Sequence, residues 1–385
     1  MINGVTRATD ILASELKSRG HNVIFFVSSY SKLKKLEYFK GFKTYRFFKA
    51  VVLPKTGSKI RLAFSTYSRV RRLLMYNKID IVHCVYPSQL NIVALNVATE
   101  LGLVKIVHSH HQPENWLKPV GLDTKFFIKI NYNILTWIYR KADVVLCPSV
   151  FSEEAILKYD PKLNTAVISN GIEIKKFRPM VPDPNFFTTY NIPHSLNILL
   201  SVARFAVEKN QILLIRAMKQ VVKELPDVFL IFIGTGPTKD VMLKEIEDNG
   251  LTNHIRLIDK CPDEDLIHAY NACTLFVHPS LIEMEGLSTL EAMSCRKPIL
   301  IANSKESATP LFVQEAEGKN GMLFDPDSEK DLVDKIILML KDNDKLNQMG
   351  ETGYELIHSK YNISEVVNKI ELLYKKIRTQ KHHLV

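Results

Sequence analysis

The chain has 385 residues, 46% of them hydrophobic and 24% charged, a composition that excludes a disordered or fibrous protein and leaves room for two domains with a core each. No apolar run reaches the roughly 18 residues that cross a bilayer, the start Met1-Ile-Asn-Gly turns polar at once, unlike a signal peptide, and five scattered cysteines without a C-x-x-C pair fit buried thiols in a reducing cytoplasm. The net charge of +10 is uneven: residues 1–180 carry a balance of +16 and the remainder −6.

Thr6–Arg19 has apolar residues at helical spacing (Ala8, Ile11, Leu12, Leu16) and ends at Gly20, which predicts a helix. Val23–Val27 is a short β-branched and aromatic run, hence a strand. Ser31–Arg72 then holds 13 basic residues and a single acid, Glu37, with aromatics interleaved (Tyr38, Phe39, Phe42, Tyr45, Phe47, Phe48). Such a stretch suits an anionic partner, either a membrane surface or nucleic acid, although no nucleic-acid-binding motif accompanies it. Further strands are predicted at Ile79–His83, Val104–His108 and Asp143–Cys147, with helical stretches between. Short buried strands alternating with helices imply a parallel sheet covered on both faces.

The prolines at 179, 182, 184 and 193 mark a linker over residues 179–194. Beyond it the same pattern resumes: strands at Asn197–Val202, Val228–Ile233, Ile255–Ile258, Leu275–Val277 and Pro298–Ile301, and a helix over Gln211–Leu225. The expected fold is α/β with two doubly wound domains facing a cleft, residues 1–178 and 195–358, and a C-terminal helix over 359–385 that can cross back to the first domain. Ligands of such sheets bind outside the carboxyl ends of the strands, so the strand-to-helix loops are where chemistry belongs.

Four loops are candidates. Glu283-Met-Glu-Gly-Leu-Ser-Thr-Leu-Glu291 places three carboxylates where a strand becomes a helix. A helix starting near Ser288 would make Ser288-Thr-Leu-Glu291 a capping box. That accounts for Glu291 but not for Glu283 or Glu285; Gly286 and the first helical amides suit an anion, and a carboxylate beside it can accept sugar hydroxyls. The residues leave capping and ligand binding equally open. Ser201–Gln211 supplies Arg204 and Lys209, two cations able to neutralise a diphosphate. Gly234-Thr-Gly236 lacks the third glycine of a dinucleotide fingerprint and reads as a tight turn. His108-Ser-His110-His111 is the densest histidine cluster, but no cysteine or carboxylate completes a metal site at familiar spacing. The triplets Asp263-Glu-Asp265 and Asp325-Pro-Asp327 read as acidic turns or helix starts.

Together these residues resemble a retaining glycosyltransferase of the GT-B fold, in the large family 4 group. Asn3-Gly-Val-Thr with Leu16–His21 resembles the family's N-terminal glycine loop and first helix. Val167–Ile172 with Phe177-Arg-Pro179 resembles its hinge segment, Ala203–Asn210 its donor-diphosphate loop, and Gly321–Pro326 its late loop. Glu283 to Glu291 matches its E-x7-E motif. The resemblance implies that Glu291 holds the ribose hydroxyls of a UDP- or GDP-linked sugar and Glu283 contacts the hexose. It implies further that amides near Gly286 and Leu287 face the sugar and diphosphate, and that Arg204 and Lys209 stabilise the departing diphosphate. His111 would lie by the reacting carbon, and Gly4 would be a backbone contact of the first domain. It implies no metal or other cofactor, and a lipid or lipid-linked glycan acceptor at the inner leaflet of the cell membrane, as in members that glycosylate diacylglycerol or phosphatidylinositol. A soluble glycan or small-molecule acceptor, or a non-catalytic nucleotide-sugar binder, are the alternatives. Two departures stand out. Glu285 occupies a position where the family carries a phenylalanine, and the hydrophobic strand that normally precedes the glycine loop is lacking. The expectation is therefore a first-domain sheet without its first, central strand, through a misplaced start codon.

Overall fold

A computed structural model describes residues 4–29, 36–52, 61–118, 121–193, 197–259 and 261–382. They form two compact units: residues 1–171 with 363–385, and residues 172–362.

The first unit opens with helix α1 (Gly4–Ser18), whose buried residues Ala8, Ile11 and Leu16 share one face. β1 (Ile24–Ser28) follows and pairs in parallel with β3 (Phe42–Val52), which carries β2 (Leu36–Phe39) and β4 (Arg61–Phe64) antiparallel beside it. The basic, aromatic stretch, read from the sequence only for its charge, is a β-ribbon as far as Phe64 and enters a helix at Tyr67; its residues 31–35 and 53–60 lie outside the described ones. Phe42, Tyr45 and Phe47 are buried while Leu36, Tyr38 and Phe39 stay exposed, so the aromatics are divided between core and surface.

A wholly parallel sheet follows in the order β5 (Ile81–Cys84), β6 (Val104–His108), β7 (Val144–Cys147), β8 (Thr165–Val167). Its helices are α2 (Tyr67–Tyr76), α3 (Gln89–Glu100), the short α4 (Glu114–Leu117), α5 (Lys125–Tyr139) and α6 (Val150–Leu157). Thr66, Ser88 and Ser149 cap α2, α3 and α6 by accepting the amides of Arg69, Asn91 and Ser152. Among the described residues no strand joins β1 to β5 by hydrogen bonds, although Ile24, Phe26, Val82 and Cys84 share one apolar cluster.

The second unit contains α7 (Pro184–Thr189), β9 (Asn197–Val202), α8 (Gln211–Glu224), β10 (Val228–Ile233), α9 (Lys239–Asp248), β11 (Ile255–Ile258) and α10 (Asp263–Ala272). β12 (Leu275–His278), β13 (Ile282–Glu283), α11 (Leu287–Ser294), β14 (Ile299–Ala302) and β15 (Glu306–Ser307) come next. α12 (Pro310–Glu315), β16 (Gly321–Phe324), α13 (Glu329–Leu340) and α14 (Asn343–Leu356) complete it. Its sheet is parallel throughout, in the order β11-β10-β9-β12-β14-β16, and β10, β12 and β14 are buried along their whole length. Strand order reverses between β9 and β12, which creates a switch point at their carboxyl ends. The chain returns to the first unit in α15 (Ile363–His382), where Val366, Val367 and Ile370 pack with Ile11, Ile106 and Leu146. No helix among the described residues is long and apolar enough to cross a membrane.

Candidate active site

The switch point of the second unit is flanked by the loop after β9 and the loop after β12, and these carry Arg204, Lys209 and Glu283. A 3₁₀ turn, Val207–Lys209, precedes α8, and Asn210 between them adopts a left-handed conformation (φ 51°). The turn sends the Lys209 ammonium inward, where it donates to Glu283 Oε1 at 2.6 Å, the Ile282 carbonyl at 2.9 Å and Ser280 Oγ at 3.2 Å. A backbone bond from Leu281 to the Glu208 carbonyl (2.8 Å) ties the two loops together. Arg204 forms an ion pair with the buried Glu208 carboxylate.

Burial alone would raise the Glu283 carboxyl. The Lys209 charge and His278, whose Nε2 lies 3.3 Å from Glu283 Oε1, outweigh it and hold the group at about 2. Glu283 is therefore an anion at any physiological pH, matched to a cation that is itself only 11% accessible.

Glu291 corrects the capping-box expectation. α11 begins at Leu287, and its cap is Gly286 in a left-handed conformation (φ 98°) with no side-chain capping bond. A Cβ at residue 286 would meet Thr309 Cγ2 at 2.4 Å, so this position needs glycine for both its backbone angle and its packing. Glu291 is turned into the protein, 2% exposed, and accepts from the Tyr270 hydroxyl at 2.7 Å. Thr289 and Leu290 already donate to the Gly286 carbonyl, so the amides of Leu287 and Ser288 precede the first helical hydrogen bonds. Glu285 does not face water: it is 4% exposed, and its charge adds to burial and Glu315 in pushing the Tyr361 phenol upward.

The Gly234–Gly236 turn expected from the sequence has a packing role that the sequence reading did not assign, and other supporting residues escaped that reading. Gly234 and Gly236 let the loop after β10 close on the backbone of the loop after β9; added Cβ atoms would lie 1.9 Å from the Ala203 carbonyl and 2.0 Å from the Phe205 carbonyl. The G-x-G after a strand was the available signal. His278, Ser280 and Tyr270 lie near the switch point with no motif to announce them. The two D-x-D triplets make contacts within the unit: Asp263 pairs with Lys176, Asp265 accepts from Tyr190, and Asp325 accepts the Asp327 amide.

In the first unit Gly4 starts α1 and is exposed. His111 follows β6, edge-on to the Tyr86 ring at 4.3 Å. His108 and His110 stack at 5.2 Å, and His108 Nε2 meets His83 Nδ1 at 3.0 Å, while His83 Nε2 meets the Tyr374 hydroxyl at 2.8 Å. Among the described residues no group of three or more metal-ligating side chains is assembled. Burial lowers His83 and His111 to about 4 and His108 and His110 well below the usual imidazole range. An unfolded imidazole protonates near 6.5, so between about 6.5 and about 4 the unfolded chain binds more protons than the folded one. Stability is expected to be full above 6.5 and to decline as pH falls towards about 4. Urea denaturation across that range checks it, and a flat profile would contradict buried neutral rings.

Two sequence profiles match. Residues 2–176 match glycosyltransferase family 4, and residues 183–356 match glycosyl transferases group 1. Among curated proteins the chain is 23% identical to alpha-monoglucosyldiacylglycerol synthase of Streptococcus pneumoniae, over 78% of this chain and 68% of that one. It is 28% identical to the sulfoquinovosyl transferase SQD2 of Arabidopsis thaliana, over 77% of this chain and 57% of the relative. Among solved structures, sucrose-phosphate synthase from Thermosynechococcus elongatus superposes with a TM-score of 0.77 at 19% identity, covering 98% of this chain and 94% of that one. Anabaena HepE, solved with UDP and glucose, gives 0.73 at 18% identity, covering 97% and 96%.

Proposed function

The chain belongs to the retaining family 4 (group 1) glycosyltransferases of the GT-B fold, and from that premise we propose that it moves a hexose from a UDP- or GDP-linked donor to a membrane lipid or lipid-linked glycan at the inner leaflet. The observation that carries the donor half is the pairing of Lys209 with Glu283 at the switch point, with Arg204 on the same loop and Glu291 within the next helix. Arg204 and Lys209, together with the first amides of α11, suit a diphosphate, and the two cations offset the charge that develops on the leaving group. In this reading Glu283 accepts from hexose hydroxyls and Glu291 from the ribose, and His111, a neutral ring in the first unit, is the group that the family resemblance assigns to the reacting carbon. Uridine is supported as the base by the fold neighbour solved with UDP, and a lipid acceptor by relatives named for acting on diacylglycerol and phosphatidylinositol.

A panel of nucleotide sugars scored by thermal shift tests the donor assignment, because a ligand of the folded form raises apparent stability, by about 2.7 kcal/mol at a hundred times Kd. One donor is expected to stand out, and Glu291→Ala is expected to abolish its shift while the unliganded protein still melts cooperatively. A Glu291→Ala variant that keeps the full shift would remove Glu291 from the site.

A further inference from the structure

We propose that the exposed face of α5 is the surface through which this protein settles on an anionic lipid bilayer. This deepens the lipid-acceptor reading by naming the element that does the docking. α5 has two apolar faces. Tyr132, Leu135, Ile138 and Tyr139 are buried in the first unit's core. On the other side Phe126, Ile130, Ile134 and Trp137 form a stripe at spacings of four, four and three residues, exposed by 66%, 38%, 52% and 50%. One face suffices to hold a surface helix on its domain, so the second lacks an intramolecular purpose.

The charge around the stripe selects the occupant. α5 contains no aspartate or glutamate, and residues 118–142 hold five basic side chains (Lys118, Lys125, Lys129, Arg140, Lys141) against one acid, Asp123. Lys141 lies over the Trp137 ring, 4.7 Å from its centre. An amphipathic tryptophan and phenylalanines between lysines are what the boundary of an anionic leaflet accommodates: rings and branched chains enter the acyl edge, and long cationic stems reach back to headgroup phosphates. A second protein would have to supply an acidic rim to match; a membrane rich in anionic lipid supplies it everywhere.

Flotation of the full chain with vesicles tests this without any donor, so that failure leaves the donor assignment standing. Binding to phosphatidylglycerol-containing vesicles, little binding to pure phosphatidylcholine, and a blue shift of tryptophan emission lost in Trp137→Phe are expected. Ile130→Asp with Ile134→Asp is expected to lower partitioning by roughly tenfold or more, with the melting temperature and donor-induced shift kept, since both side chains are solvent-facing. Lys125→Glu with Lys129→Glu is expected to weaken the preference for anionic vesicles. Unchanged partitioning in the aspartate variant would overturn the proposal in favour of the basic ribbon β2–β4. A dimer in lipid-free buffer that this variant dissolves would overturn it in favour of a second copy.

Discussion

Lys209→Ala is expected to lower kcat/KM for sugar transfer by roughly 10²- to 10³-fold, the size usually lost with one preorganised charge aimed at a leaving group. The ammonium has two tasks that a single substitution removes together. In the proposed function it stabilises the departing diphosphate, and it compensates a buried carboxylate through the 2.6 Å contact with Glu283. Without it, desolvation is left to act on Glu283 and its carboxyl rises from about 2. The Glu283 group is depressed in the folded state, so its stabilising contribution is present above the ordinary value near 4.5 and is lost as pH falls through about 2. Lys209→Ala should therefore be less stable than the parent at neutral pH and should lose less further stability between about 4.5 and about 2, because its raised carboxyl differs less from that of the unfolded chain. The double variant Lys209→Ala with Glu283→Gln separates the tasks. It should recover much of the stability, because the uncompensated charge is gone, but none of the activity. Recovery of activity in the double variant would show that Lys209 merely neutralises Glu283.

The second large effect is expected from Gly234→Ala. The new Cβ would sit 1.9 Å from the Ala203 carbonyl, a backbone atom that cannot swing aside. Either β10's loop or the segment leading to Arg204 has to move, at a cost of about 1–3 kcal/mol. In a protein of this size that lowers the melting temperature by several degrees. Because Ala203 immediately precedes Arg204, the displacement is expected to weaken the donor-induced thermal shift as well. Gly250→Ala is the control: its left-handed φ of 68° carries a similar backbone penalty, but open space surrounds it. It should lose stability and keep donor binding. Equal loss of donor binding in both variants would mean that the Gly234 contact does not position the donor loop.

The parallel strands of both units were legible because each is a run of β-branched and aromatic residues bounded by helical periodicity; Asn197–Val202 and Val228–Ile233 are the predicted ranges unchanged. The ribbon β2–β4 was not, since lysines and arginines interrupt its apolar residues, of which Phe42, Tyr45 and Phe47 are buried. In the site, Arg204, Lys209 and Glu283 could be singled out from loop position, but their partners could not. The cap of α11 fell to Gly286 rather than Ser288 because Thr309, 23 positions later in the sequence, leaves no room for a side chain there. Glu291 is held by Tyr270, 21 residues earlier. Such contacts depend on strand order, and local sequence pattern does not encode the reversal between β9 and β12.

The return of the chain into α15 has a consequence for synthesis. The second unit is one continuous stretch, residues 172–362, whereas the first is assembled from residues 1–171 and the final 363–385. On a ribosome the second unit can finish folding as soon as it emerges, while the earlier-made unit waits for Val366, Val367 and Ile370 to close its core over Ile11, Ile106 and Leu146. The order of translation and the order of completion are reversed, and the half-made first unit is the species a chaperone would have to shelter.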